Sequence, residues 1–354
     1  MNYIDKPKIE KLIEEGFIRK NKHPSFDLYI YNYSAKTQYE NYWIPETLQC
    51  RGLITNGESK IIARPFTKFF NIEQMSETLL TNSFKVFEKL DGSLGILYFY
   101  HNIPYIATRG SFVGEQALEA NNMLHSIYKN SIHLLDKNFT YLFEIIYPEN
   151  QIVVNYGDTK SLTLLAVIET ESGKDLPLNN FNNLGFPIAK EYNHLKQIEH
   201  IVNLNEINKE GFVLLFDNGV RAKFKFDQYV KLHSLITEMT SKKVWEIVKG
   251  DISFDQFIDK IPDELFKWVQ DKIQFFKDEY NKIEQEAETE FKRIMELVPF
   301  KERKELAKHI VQHKYPQILF AKLDNKDISQ YIWKILEPDH EIPILSSMLF
   351  QEAE

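Results

Sequence analysis

Two hydrophobic periodicities divide the chain. As far as about residue 240, apolar residues come in short runs rich in β-branched and aromatic side chains, separated by turn signals. Strands are predicted over Phe26–Tyr33, Phe84–Lys89, Leu94–Tyr100, Pro104–Thr108, Thr140–Ile146 and Ser161–Ile168. Two further pairs flank hairpin signals. Leu53–Ile54 and Ile61–Ile62 bracket Asn56-Gly57, and Phe212–Phe216 and Val220–Phe226 bracket Asp217-Asn218-Gly219. Helices are predicted over Lys8–Glu15, closed by Gly16, and over Glu115–Tyr128. Connections this short favour antiparallel pairing, so the expected class is α+β.

The period then changes. From Asp263 the apolar positions are Leu265, Trp268, Val269, Phe276, Tyr280, Ile283, Ala287, Phe291, Ile294 and Val298, which lie on one face of a helix ended by Pro299. More helices are predicted over Lys301–Val311 and Ile328–Leu336, with Pro316, Pro338 and Pro343 as stops. Gly250 is the last glycine. These features predict a strand-rich domain over residues 1–240 and an all-helical one over 241–354. No internal repeat is visible.

Composition narrows the classes. The 354 residues are 43% hydrophobic and 27% charged, as in a globular protein. No apolar run reaches the ~18 residues that span a bilayer, and the first 17 residues carry charge throughout, unlike a signal peptide. The single cysteine, Cys50, offers no internal disulfide and no zinc cluster. A cytoplasmic protein without a membrane partner is expected. Lysine and arginine total 43 against 51 acidic residues, a net charge of −8, which argues against coating nucleic acid by bulk charge but leaves room for a local basic cleft. With 26 Phe, 18 Tyr and 4 Trp, some aromatics can serve as stacking surfaces.

The chemistry centres on Glu88-Lys89-Leu90-Asp91-Gly92-Ser93. A lysine ends one apolar run, and a turn bearing Gly92 leads into the next. Such a lysine is either a surface residue at a hairpin or a nucleophile. A nucleophile must shed its proton, for which burial and nearby positive charge are the means. Cations are available in Arg221-Ala222-Lys223-Phe224-Lys225-Phe226, whose strict alternation puts Arg221, Lys223 and Lys225 on one strand face. Three like charges in a row suit an anion such as phosphate. Glu144 interrupts Tyr141–Ile146, and Glu210 abuts Phe212–Phe216. A carboxylate in an apolar run requires a partner, whether a metal, a ribose hydroxyl or a lysine. His309 and His313 share a helix face but lack the glutamate of a zinc-protease motif, and Cys50 reads as a small apolar filler.

These segments together resemble the covalent nucleotidyltransferases, the superfamily of ATP-dependent ligases and mRNA capping enzymes. Lys89-Leu90-Asp91-Gly92-Ser93 is similar to motif I, Phe143-Glu144 to motif III, Glu210-Gly211-Phe212-Val213 to motif IV and Lys223-Phe224-Lys225 to motif V, in that order. Finer features resemble the T-even phage RNA ligase 1 family: Arg51-Gly52, Arg64–Asn71, Thr108-Arg109-Gly110-Ser111, and Asp227–His233 after motif V. The resemblance covers most of residues 45–235. It implies an ATP-dependent RNA ligase that joins 5′-phosphate and 3′-hydroxyl ends with Mg2+ or Mn2+. It also implies a phage or phage-like origin, hence an infected cell's cytoplasm.

By that resemblance Lys89 forms lysyl-AMP. Arg51, Glu88, Glu144, Lys223 and Lys225 bind ATP, with Glu144 on the ribose hydroxyls and Glu88 on the adenine amino group. Glu210 is the metal-linked carboxylate. Lys68, Phe70 and Arg109 hold phosphate or the RNA end, and Asp91 and Gly92 build the turn. Arg109 stands where the family has lysine. In that family a helical C-terminal domain favours tRNA. Two other readings remain at this point. A DNA ligase or capping enzyme would continue into a glycine-bearing OB-fold, which the helical tail disfavours. A non-catalytic RNA-binding protein would not need Lys89, Asp91, Glu210, Lys223 and Lys225 together.

Overall fold

The fold comes from a computed structural model that describes residues 2–236, 239–250, 261, 263–298 and 302–338. The chain divides into two compact units, Met1–Ile236 and Thr237–Glu354.

The first unit contains three sheets. Strands β1 (Ile18–Lys22), β2 (Leu28–Tyr33), β3 (Arg51–Asn56) and β4 (Ile61–Ala63) form an antiparallel meander. The second sheet runs β11 (Asp175–Leu176), β10 (Ser161–Glu169), β9 (Phe139–Ile146), β7 (Ser93–Tyr100), β8 (Ile103–Thr108), all antiparallel. The third runs β5 (Phe70–Asn71), β13 (Arg221–Lys225), β12 (Gly211–Phe216), β6 (Phe84–Lys89). Pairing is antiparallel, as the short connections predict, except for β5 beside β13.

The second sheet is buried on both faces. Leu97, Tyr141, Phe143, Ile145, Leu162 and Leu164 pack with Ala120, Met123 and Leu124 of the helix Glu115–Ser126. The alternate residues Ile96, Tyr98, Leu142 and Ala166 pack on Leu28, Ile30 and Ile54 of the first sheet. The side-chain period of two splits one apolar run between two cores. The outer face of the first sheet buries Tyr31, Leu53 and Ile61 against Ile9 and Leu12 of the helix Lys6–Glu14.

One reading of the sequence is corrected here. The run through Lys89 and the run that follows it do not form a hairpin. β6 pairs with β12, whereas β7 pairs with β8 and β9. Leu90-Asp91-Gly92 therefore carries the chain from the third sheet into the second. Each strand has an apolar partner elsewhere, and pairing follows that burial rather than proximity in sequence.

The helical unit begins with Ser241–Lys249, which the sequence reading passed over. Thr240 caps its start, and Gly250 ends it at φ +98°. The indole N–H of Trp245 donates to the Trp333 carbonyl at 3.0 Å. A 35-residue helix, Asp263–Leu297, follows. Its Ile283, Ala287 and Ile294 are buried with Leu306, Ile310, Ile318, Leu319 and Ile332. Those residues come from helices Arg303–Ile310, Pro316–Leu323 and Ser329–Ile335. Pro316 opens a helix rather than stopping one, because the first helical turn needs no N–H from it. Lys301, Pro299 and Pro343 lie outside the described residues.

Candidate active site

Register explains why the motif residues converge. On the third sheet Gly211 is opposite both Lys89 and Lys225, so the two lysines flank one residue. Glu210 is the next residue back along the chain. Its Oε2 is 2.7 Å from Lys89 Nζ and its Oε1 is 3.2 Å from Lys225 Nζ. Gly211 itself sits at φ +148°, and a Cβ there would lie 2.0 Å from the Phe224 carbonyl oxygen. Only glycine lets the two strands close at this point.

Glu210 is buried, which pushes its carboxyl pKa up, but the Lys89 and Lys225 ammoniums outweigh burial and hold it below the usual range. Glu144, half-buried on β9, behaves oppositely. Burial drives its carboxyl up to about 8; Lys89 opposes the rise, while the Glu210 and Asp91 carboxylates add to it. Glu144 accepts the Gly92 N–H. A Cβ on Gly92 would stand 2.6 Å from the Ile145 carbonyl oxygen and 3.1 Å from Glu144 Cγ, so this turn lies tight against β9.

Asp91 does more than shape the turn. It is buried, and its Oδ2 accepts the Val153 and Val154 N–H groups, both at 2.8 Å. Its Oδ1 accepts the Tyr229 hydroxyl at 2.7 Å, and its own N–H donates to the Tyr156 hydroxyl at 2.9 Å. The turn is thereby tied to the 153–156 loop and to the helix Asp227–Ile236. Asp91→Ala leaves a half-buried amide, a buried amide and a buried hydroxyl without an acceptor. Its expected cost is about 2–5 kcal/mol, against about 1 kcal/mol for Tyr229→Phe. Urea unfolding of both variants checks the order.

Glu144 sets a pH dependence. A carboxylic acid whose folded pKa lies above its unfolded one binds more protons when folded across the interval between them. Its contribution to stability therefore falls as pH rises from the ordinary glutamate range to about 8. Glu144→Gln removes that loss. Melting temperatures of the variant and the parent, compared from pH 5 to pH 8.5, should separate in the variant's favour as pH rises. A constant difference would put Glu144 in ordinary solution.

A second group surrounds Lys68. Its ammonium, on a buried residue, lies 5.7, 5.6 and 5.4 Å from the ring centroids of Tyr33, Trp43 and Phe70. The Arg109 guanidinium is 5.6 Å from the Tyr33 ring centre, and its Nη1 donates to the Tyr33 hydroxyl at 3.4 Å. The Arg109 carbonyl accepts the Asn32 amide at 2.6 Å. A guanidinium can lie near a ring and donate to its hydroxyl at the same time. The Arg51 guanidinium is 5.3 Å from the Phe69 ring centre. Phe70, in β5, is bound into the third sheet beside Ala222.

Two predicted residues stand apart from these groups. Glu88 pairs in register with Phe212 and so points to the face opposite Lys89. Arg221 shares the face of Lys223 and Lys225, but its guanidinium is held by both Asp175 oxygens at 2.7 and 2.8 Å. Its anion is a carboxylate of the same chain. Cys50 is buried, and burial raises its thiol pKa, as suits a filler. The sequence reading missed Tyr33, Trp43, Tyr156 and Tyr229. Only Tyr229 carried a signal, its place in the segment after Lys225.

The donors near Lys89 are hard carboxylate oxygens, which suit Mg2+ or Mn2+. Among the described residues no cluster of three or more His, Cys, Asp or Glu could hold a metal ion. Such a cation would be held here by Glu210, with further donors from outside the protein completing its shell. No helix among the described residues is long and apolar enough to cross a membrane.

Several known proteins are similar to this chain. The chain is 23% identical to the RNA ligase of Rhodothermus phage RM378, with 92% of each protein covered. It is 26% identical over 253 residues to a bifunctional polynucleotide kinase/RNA ligase of Autographa californica nuclear polyhedrosis virus. That match takes in 64% of this chain but 36% of the viral protein. Solved structures of the Naegleria gruberi RNA ligase overlap it in part. One with PPi has a TM-score of 0.40 at 18% identity, over 49% of this chain and 60% of that one. Another, a variant with ATP and Mn, has a TM-score of 0.37 at 19% identity, over 45% and 53%. The RNA ligase family model matches residues 49–233, the stretch that contains Lys89, Glu144, Glu210, Lys223 and Lys225. The chain therefore belongs to the RNA ligase family, on the T-even phage RNA ligase 1 branch.

Proposed function

We propose that this chain is an ATP-dependent RNA ligase that joins 5′-phosphate and 3′-hydroxyl RNA ends through lysyl-AMP and RNA-adenylate intermediates. The observation that carries the proposal is the buried Glu210 carboxylate shared by Lys89 and Lys225 at 2.7 and 3.2 Å. It holds a candidate nucleophile and a phosphate-binding cation in one place.

The chemistry follows from those residues. Lys89 gives up one proton to become a neutral amine. Its nitrogen attacks the α-phosphorus of ATP, the bond to pyrophosphate breaks, and a second proton leaves as the N–P bond forms. Lys223 and Lys225 lie across the phosphate oxygens where negative charge builds. A divalent cation beside Glu210 supplies further positive charge to those oxygens when bound. Glu210, which Lys89 and Lys225 already share, would be the carboxylate that holds it. Glu144, which holds its proton to about pH 8, can donate to or accept from a ribose hydroxyl. Arg51 is assigned to ATP, and Lys68, Phe70 and Arg109 to phosphate and the RNA end; Glu88, whose side chain faces away from Lys89, is left out of the adenine site. AMP then passes to an RNA 5′-phosphate, and a 3′-hydroxyl displaces it. Residues 1–240 are read as the nucleotidyltransferase domain, and 241–354 as the helical domain that selects the RNA, with cut tRNA the first candidate.

The test uses ATP and GTP labelled in the α-phosphate. Label from ATP alone is expected on the protein and to be lost on adding 5′-phosphorylated RNA, with sealed RNA as product. Transfer from GTP would make it a capping-type enzyme, and sealing of DNA ends in preference to RNA a DNA ligase. Absence of any transfer would leave a binding protein.

A further inference from the structure

Asn71 ends β5 in register with Lys223 of β13. Residues in register on adjacent strands present their side chains to the same face. Lys223 in turn is opposite Val213, two residues from Gly211, so Asn71 shares the face that carries Lys89 and Lys225. Asn71 is only 8% exposed, and its Oδ1 is buried without a hydrogen-bond partner. Its backbone is fixed, because its N–H donates to Gln74 Oε1 at 3.1 Å at the start of the turn Ile72–Gln74.

A buried acceptor with no donor is costly and uncommon. Such an acceptor is met by an ordered water or by a donor that comes with a ligand. Phosphate oxygens cannot serve, because they are acceptors and repel a carbonyl oxygen. The donor that travels with a phosphate chain is water bound to its divalent cation, polarised by the metal. Such water needs acceptors around it, and a carboxamide oxygen beside a phosphate-facing lysine is one.

We infer that Asn71 positions the hydrated divalent cation that accompanies the ATP triphosphate, its Oδ1 accepting a hydrogen bond from a metal-bound water. This rests on the ATP-dependent reading above. It predicts a residue whose effect depends on the metal and whose removal does not weaken the fold.

The experiment is calorimetric titration of the full chain with α,β-methylene ATP, which keeps the triphosphate but cannot transfer AMP, with Mg2+ and with EDTA. Asn71→Ala is expected to weaken binding by about 10- to 100-fold with Mg2+ and to leave metal-free binding unchanged. Asn71→Asp still accepts from water and attracts the cation. It is expected to bind as tightly as the parent with Mg2+ and more weakly without it. Neither variant should melt below the parent. Unchanged binding by Asn71→Ala in Mg2+ overturns the inference, as does an equal loss with and without Mg2+. So does an Asn71→Asp as weak as Asn71→Ala, which would put the amide nitrogen on a phosphate. If the parent chain does not bind the analogue at all, the ATP reading fails and takes this one with it. Binding by the parent with an unaffected Asn71→Ala overturns this inference alone.

Discussion

Lys89→Ala is expected to lose covalent AMP transfer completely. A phosphoramide needs a nucleophilic nitrogen within reach of the α-phosphorus. The Lys225 ammonium is committed to the other oxygen of Glu210 at 3.2 Å, and Lys223 is buried one pleat away along β13. Neither can take over attack without abandoning the phosphate-facing role proposed for it. Removing Lys89 also takes from Glu210 the nearer of its two cations, so the carboxyl pKa rises. A fall in melting temperature would therefore be unsurprising and is measured alongside. The decisive reading is covalent label from α-labelled ATP in denaturing gels, on protein shown to be folded. Label persisting on the alanine variant sinks the assignment of Lys89.

Lys225→Ala and Lys223→Ala come next in size. Each removes a cation from the sheet face where the transferred phosphate is proposed to lie. Losing one preorganised contact to developing charge typically costs on the order of 100- to 1,000-fold in rate, or about 3–4 kcal/mol. The two differ in their structural side effect. Lys225 neutralises the buried Glu210 directly, so its loss raises that carboxyl's pKa and lowers stability at neutral pH. The expected pattern is a similar drop in lysine adenylation for both, with a fall in melting temperature for Lys225→Ala. Single-turnover adenylation at saturating ATP and Mg2+ measures the first, and thermal unfolding the second. Near-parental adenylation by either variant means its ammonium does not face the phosphate.

The local elements were legible because they depend on short-range pattern. The alternation around Phe143 and Phe224, the Asn56-Gly57 turn and the long apolar stripe from Leu265 to Val298 each specify an element through neighbours in sequence. The motif residues were legible for a different reason. Their order along the chain resembles a known family, and the match over residues 49–233 bears out that family.

The sequence by itself determined which residues carry charge, where strands give way to helices, and that Lys223 and Lys225 share a strand face. Tertiary structure alone decided what those charges meet. Arg221 has the same spacing as its neighbours, yet Asp175 claims it, because only the fold brings β11 to that end of β13. Leu90-Asp91-Gly92 looks like a hairpin turn and is a crossing between sheets, because β6 pairs with β12 while β7 pairs with β8 and β9. Lys68 acquires Tyr33 from the end of β2 and Trp43 from the segment beyond it, and Asp91 acquires Tyr229 from 138 residues away. The physical reason is range. Backbone geometry and side-chain period act over a few residues and can be read in one dimension. Burial, desolvation and ion pairing depend on distances in space, and the packed core sets those for residues far apart in the chain.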